Sequence, residues 1–225
     1  MKIEIFPDAA AAAVAAAAFI AAESRAAIAA RGRFVAALSG GSSPWVMLRA
    51  LILEEVQWEA VEIVQVDERV APAGSPDRNL THILESLGSA QIHPMPVEFP
   101  DLKAAARQYE QTIAELAGSP SVLDLIHLGL GPDGHTASLV PGDPVLDVTD
   151  ADVAVTGTYQ GRRRMTLTFP ILNRARRLLW LVTGVEKATA LGRLQAGDPS
   201  IPAGRIRQNT AIVFADGAAA SKETR

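Results

Sequence analysis

The sequence predicts an α/β fold, a sheet carrying helices on its faces, and three observations support it. Short apolar stretches of strand length alternate with longer helical segments along the whole chain. Glycine-rich or polar loops follow several of the strand stretches directly. Finally, 48% of the 225 residues are hydrophobic, enough for one sizeable core or a large core with a small appended lobe.

Residues 2–6 (KIEIF) alternate polar and apolar as a short strand does, and Pro7-Asp8 then opens an Ala-rich helix over 9–30. A second strand, 33–38 (RFVAAL), runs into Ser39-Gly40-Gly41-Ser42-Ser43-Pro44 and a helix over 44–53. Residues 61–66 (VEIVQV) form a strand ending at Asp67-Glu68-Arg69, followed by a Pro/Gly-rich loop through Pro76 and a helix over 79–87 that leads to Ile92-His93-Pro94-Met95. A clear amphipathic helix covers 101–116. The strand at 123–128 (LDLIHL) feeds a loop, Gly129 to His135, that is expected to enter a helix at Thr136-Ala137-Ser138. After the turn-rich, acidic stretch 141–152 come strands at 153–158 and 165–168 and a short helix over 170–174. A buried strand at 178–182 (LLWLV), a helix over 186–195, a last strand at 210–214 and a small-residue tail complete the chain. No internal repeat and no Pro, Gly or Ser-rich linker divides it, so a single domain spanning 1–225 is expected.

Composition excludes several function classes. With 21 Lys and Arg against 25 Asp and Glu the formal net charge is −4, which offers no global positive field to a nucleic-acid backbone. There is no Cys, hence no disulfide framework, thiolate metal site or Cys nucleophile. The apolar run 9–22 falls short of the roughly 20 residues that cross a bilayer, acidic Glu4 and Asp8 precede it, and Glu23-Ser24-Arg25 follow without a processing pattern. It reads as a core helix, and the expected setting is cytoplasmic, with no membrane partner.

The polar segments after predicted strands could converge, because ligands of open α/β sheets collect at the carboxyl ends of strands. Ser39 to Pro44 supplies glycines for close backbone approach, hydroxyls and a helix start, which suits a phosphate or carboxylate. The same residues equally suit an ordinary strand-to-helix turn with Ser43 as N-cap. Asp67-Glu68-Arg69 reads either as an arginine clamp held by two acids or as an exposed ionic turn. The densest signal is Gly129-Leu130-Gly131-Pro132-Asp133-Gly134-His135-Thr136-Ala137-Ser138-Leu139, a loop able to fix one imidazole beside a carboxylate, making His135 the leading general base. Of the other three histidines, His127 falls inside a strand pattern as a core residue, while His82 and His93 read as surface or turn residues. No close pair of His has metal-ligand spacing. Arg164 and Lys187, at a strand start and a helix start, are candidate anion contacts, with a solvated basic surface as the alternative.

These segments, together with Asn173, Thr183-Gly184, Arg164-Met165-Thr166-Leu167-Thr168 and Pro141-Gly142, resemble the 6-phosphogluconolactonases of the glucosamine-6-phosphate isomerase/6-phosphogluconolactonase family, in family order over nearly the full length. The resemblance implies a Rossmann-like open, mostly parallel sheet flanked by helices, with a smaller additional portion. It also implies hydrolysis of 6-phospho-D-glucono-1,5-lactone to 6-phospho-D-gluconate in the oxidative pentose phosphate pathway. No cofactor or metal is implied, and monomer and homodimer both stay open. The related deaminases continue from Asp-Gly-His toward Ala-Phe-Asn-Glu-Pro and place an aromatic residue where Arg69 stands. Thr136-Ala137-Ser138-Leu139-Val140-Pro141-Gly142 follows the lactonase form instead. An aldose–ketose isomerase or deaminase, and a catalytically silent sugar-phosphate binder, remain as the alternatives.

By the same resemblance His135 deprotonates water for attack on the lactone carbonyl and returns the proton to the ring oxygen. Asp133 orients the imidazole or caps the loop, and Arg69 contacts the substrate or the developing oxyanion. Gly40, Gly41, Ser42, Ser43, Asp67, Arg164 and Lys187 are the implied substrate and phosphate contacts. The chain departs from the family pattern at Arg78, where a Ser is expected before Asn79, and more mildly at Ser43, where Thr is commoner. Arg78 is expected either to add a cation at the mouth of the site or to point into solvent.

Overall fold

A computed structural model describes residues 1–88 and 90–221, so the end of the small-residue tail lies outside the described residues. Its main sheet has seven strands, all parallel: β1 (Lys2–Phe6), β2 (Phe34–Leu38), β3 (Val61–Gln65), β5 (Gln91–His93), β6 (Leu125–Leu128), β9 (Arg177–Val182) and β10 (Ala211–Asp216). Their spatial order is β1-β10-β9-β6-β2-β3-β5. The chain therefore builds outward from β2 to β5, returns to β6 on the other flank of β2, and builds outward again to β10. The reversal between β2 and β6 is a topological switch point, where the loops leaving neighbouring strands diverge and open a crevice.

Helices α1 (Ala9–Arg31), α2 (Ser42–Leu51) and α3 (Asn79–Leu87) cover one face, and α4 (Leu102–Ala117), α5 (Phe169–Arg174) and α6 (Ala188–Gln195) the other. This doubly wound arrangement explains why β2 reads FVAAL without polar alternation. Phe34, Ala36 and Leu38 pack toward α1 to α3, Val35 and Ala37 toward α4 to α6, and all five are buried. By length and composition α1 could cross a membrane. Here one of its faces, including Ala12, Ala13, Ala16, Ala17, Ile20 and Ala21, is buried in the core on β2 and its neighbours. Asp8 caps its first turn by accepting from the Ala11 N–H at 2.8 Å, and Gly32 ends it in the left-handed conformation.

The smaller portion is a three-stranded antiparallel sheet in the order β4 (Asp67–Arg69), β8 (Arg164–Leu167), β7 (Val153–Val155). Val66 joins the two sheets: its N–H donates to Leu38 O and its carbonyl accepts from the Leu167 N–H. Asp67-Glu68-Arg69, one of whose readings was an exposed turn, is thus a paired strand in which Asp67 and Glu68 are buried. Helix α2 starts at Ser42 with Gly41 at the cap, so Ser43 lies inside the first turn and is not the N-cap. No helix begins at Thr136 either. Ala137 adopts a positive φ of 52°, and Thr136 and Leu139 form an isolated antiparallel bridge instead.

Candidate active site

One cleft of about 250 Å³ opens at the carboxyl ends of β2, β3, β6 and β9. Gly40, Gly41, Ser42, Ser43, Asp67, Arg69, His135, Arg164 and Lys187 all line it, so every expected site residue except Asp133 reaches the cleft wall. Asp133 stands directly behind His135.

The loop after β6 turns back sharply: the Gly134 N–H donates to Gly131 O at 2.9 Å and the Gly131 N–H to His135 O at 2.8 Å. Within that turn Asp133 Oδ1 lies 2.6 Å from His135 Nδ1 and also accepts from the His135 backbone N–H at 3.1 Å. An ionised carboxylate can only accept, so the contact places the imidazole proton on Nδ1 and leaves the Nε2 lone pair available. Partial burial alone would raise the Asp133 pKa, but the hydrogen bonds and charge of His135 outweigh it and hold the carboxyl below its ordinary value. Gly131 is required here by space. A Cβ at that position would lie 2.1 Å from His135 Nδ1 and 2.6 Å from Asp133 Oδ1. Gly131→Ala is therefore expected to push the imidazole off its partner and lower turnover about a hundredfold, with little change in melting temperature, as initial rates and a thermal melt would show.

The His135 loop is tied to the small sheet through buried hydroxyls. Ser138 Oγ donates to Asp67 Oδ2 at 2.5 Å, and the Ser138 N–H donates to Thr166 Oγ1 at 3.2 Å. This is why the segment does not become a helix: its groups are committed to β4 and β8. Asp67 also accepts from Asn79 Nδ2 at 3.2 Å, so both of its oxygens already have donors. Burial raises its pKa, with the Ser138 hydrogen bond and the Arg164 charge acting in the opposite direction. Arg164 is 5% exposed, with Nη2 donating to Gln160 Oε1 at 3.1 Å and its buried Nε lacking a partner among the described residues. Burial lowers its pKa, and Asp67 opposes that shift. Arg69 donates from Nη1 to Asp77 O at 2.7 Å.

Also lining the cleft, α2 begins with the N–H groups of Ser42 and Ser43, which have no acceptor within the helix, and Pro44 contributes none. Ser43 Oγ and Thr183 Oγ1, 2.6 Å apart, link this turn to the end of β9. Lys187 follows in a short 3-10 turn, with its Nζ 3.9 Å from the largely exposed Glu186. The cleft thus combines an imidazole with three cationic side chains, Arg69, Arg164 and Lys187.

Sequence reasoning placed Thr183 in a candidate segment without a role of its own, and assigned none to Asn79 or Tyr159. Asn79 Oδ1 lies where a Gly40 Cβ would be, 2.1 Å away, and 3.4 Å from Arg69 Nη1, so it spaces the phosphate-loop candidate from β4. Its sequence signals were its place at a helix start after Asp67-Glu68-Arg69 and its position in the family pattern next to residue 78. Tyr159 packs edge-on to His135, centroids 5.6 Å apart, and lies 5.1 Å from the Arg164 guanidinium. Asn173 lies outside the cleft, accepting from the Arg207 N–H at 2.7 Å.

The model of the glucosamine-6-phosphate isomerases/6-phosphogluconolactonase family matches residues 7–214. The chain belongs to that family. Family relatives include a 6-phosphogluconolactonase of Synechocystis, 40% identical over 182 residues (76% of this chain, 75% of the relative), and one of Mycobacterium tuberculosis, 39% identical over 230 residues (93% of each). Among solved family structures, 6-phosphogluconolactonase from Trypanosoma cruzi superposes with a TM-score of 0.87 at 26% identity, covering 100% of this chain and 97% of that one.

Proposed function

We propose that this enzyme hydrolyses 6-phospho-D-glucono-1,5-lactone to 6-phospho-D-gluconate, with His135 activating water. The observation that carries the reading is the Asp133-held His135 facing the same cleft as Arg69, Arg164 and Lys187. A neutral imidazole can take a proton from water while the oxygen attacks the ring carbonyl. Charge developing on that carbonyl oxygen is met by Arg69. The tetrahedral intermediate then collapses: the bond from carbon to ring oxygen breaks, and the imidazolium returns its proton to the departing oxygen. One water is consumed, and the acid and a hydroxyl are produced. The remote phosphate is held by the first turn of α2, with Ser42 and Ser43, and by Lys187 and Arg164. Its binding energy orients a small lactone for attack. The comparisons support this reading over the isomerase side of the family, and so does the stretch after His135, where Thr136, Ala137 and Ser138 add no acid.

The direct test is hydrolysis of the phosphorylated lactone by purified protein against the uncatalysed background, beside the same lactone without its phosphate. Rates at background on the phosphorylated lactone would overturn the proposal. Lys187→Ala is expected to raise KM for the phosphorylated lactone by roughly 10- to 100-fold, the worth of a hydrogen bond to a charged group, about 1.5–3 kcal/mol. Activity toward the unphosphorylated lactone should stay where it was, and a parallel loss on both would remove Lys187 from the phosphate site.

A further inference from the structure

We propose that Arg78 is a positioning residue of this active site, holding Arg69 and Asn79 in place through the buried carboxylate of Glu68. The kinetic consequence rests on the lactonase reading above, whereas the structural one rests on geometry alone.

Neither orientation expected from the sequence occurs: Arg78 is 2% exposed and turns inward beneath the loop. Its Nε makes an ion-pair contact with Glu68 Oε2 at 3.1 Å, with the N–H off the line to the oxygen. Its Nη1 donates to Glu98 Oε1 at 2.7 Å and to Ala71 O at 3.1 Å. Glu68 is fully buried and accepts four hydrogen bonds of 2.8 Å, from Gln65 Nε2 and from the backbone N–H groups of Arg69, Asn79 and Leu80. One carboxylate therefore joins β4 to the first turn of α3, whose N-cap, Arg78 itself, makes no side-chain cap bond. A carboxylate withdrawn so far from water needs a countercharge as well as donors, and Arg78 supplies it.

Of the residues on either side of Arg78, Asn79 lines the cleft and Asp77 touches it through Arg69. Asp77 offers its carbonyl to Arg69 Nη1 at 2.7 Å, and Asn79 places its side chain between Arg69, Asp67 and Gly40. Anchoring residue 78 at Ala71, Glu68 and Glu98 thus fixes where residues 77 and 79 present their acceptors. Arg69 is held at both ends, its backbone N–H by Glu68 and its guanidinium by the segment Arg78 anchors.

The test is a double-mutant cycle with four proteins: wild type, Arg69→Ala, Arg78→Met and the double variant. In the wild-type background Arg78→Met is expected to lower kcat/KM on the phosphorylated lactone about a hundredfold, mostly through kcat, the cost of a misplacement of about 1 Å. In the Arg69→Ala background it should cost nothing further. Equal losses in both backgrounds would mean Arg78 does not act through Arg69 and would overturn the proposal. Amide hydrogen exchange supplies a readout independent of turnover: Arg78→Met should deprotect the Arg69, Asn79 and Leu80 amides together. Unchanged protection at all three would equally overturn it. If Arg78→Met does not fold, Arg78→Lys keeps a charge opposite Glu68 but cannot also reach Ala71 and Glu98, and the same cycle and exchange measurement apply to it. A wild type without lactonase activity would sink the functional reading and leave Arg78 to be decided by exchange.

Discussion

His135→Ala is expected to lower kcat on the phosphorylated lactone by about 10²- to 10⁴-fold, the range that a positioned general base contributes. KM should change little, because the phosphate contacts proposed at Ser42, Ser43, Arg164 and Lys187, which line the same cleft, do not involve the imidazole. The fold should survive. His135 is partly exposed, and its only side-chain hydrogen bond among the described residues goes to Asp133, itself 40% exposed. Asp133→Asn should cost less than His135→Ala yet act on kcat in the same direction. An amide can present its NH₂ group to Nδ1, favouring the tautomer whose proton sits on Nε2, where the lone pair is needed. Initial rates for both variants, with a thermal melt to establish folding, decide the point. A folded His135→Ala protein within threefold of wild type would keep the reaction but assign the base elsewhere.

The parts of this site that sequence reasoning reached are those whose chemistry is local. Gly131, Asp133 and His135 lie within one short turn, so the Gly, Asp and His of that stretch announce a fixed imidazole before any fold is known. The α/β sheet was equally legible, since β2 and the body of β9 are buried on both faces and read as continuous apolar runs, and β6 as one interrupted only by His127; its mostly parallel pairing was implied by the family resemblance. Long-range pairing was not legible. Asp67 to Arg69 becomes a strand only because β8 arrives far later in the chain to pair with it. Thr136 to Ser138 looked like a helix start, and its helical potential yields to one hydroxyl bonded 71 residues away, at Asp67. Arg78 is the sharpest case: a cation in a Pro/Gly-rich loop belongs in solvent by every local rule. It is buried because Glu68, ten positions earlier, is buried first by four N–H donors.

The second large effect concerns acid stability. His127 lies at the centre of β6, fully buried, where its carbonyl accepts from Ser39 Oγ at 2.9 Å and its Nδ1 accepts from the Ser39 N–H at 3.4 Å. Its Nε2 has no partner among the described residues. Burial pushes its pKa down to about 3, against an ordinary value of 6.5. Because the folded pKa lies below the unfolded one, the unfolded chain binds the proton first. The stability this histidine confers is complete above pH 6.5 and is lost as pH falls from there toward 3. The shift corresponds to at most about 4–5 kcal/mol over the full span, a large fraction of a domain's stability.

His127→Leu removes the titrating group while leaving the Ser39 N–H without its acceptor. The variant is therefore expected to be about 1–3 kcal/mol less stable than wild type at pH 7, the cost of an unpaired buried donor. Near pH 4 the gap should have closed, and should reverse where the pH 7 deficit is at the lower end of that range. Wild type will by then have lost up to about 3 kcal/mol through His127, and the variant nothing from that position. Urea unfolding of both proteins between pH 7 and 4 checks this, since the difference between them cancels every other titrating group. Parallel curves would mean that His127 is not held neutral. His127 also touches the active-site loop, because its Nδ1 accepts from the Ser39 N–H. Ser39 is the first residue of the loop leading to Gly40, Gly41 and the helix start proposed to meet the phosphate. In the folded protein the imidazole takes up a proton only near pH 3, so between pH 6.5 and 4 substrate binding should fall only with the folded fraction, and affinity per folded molecule should be the same in His127→Leu and wild type.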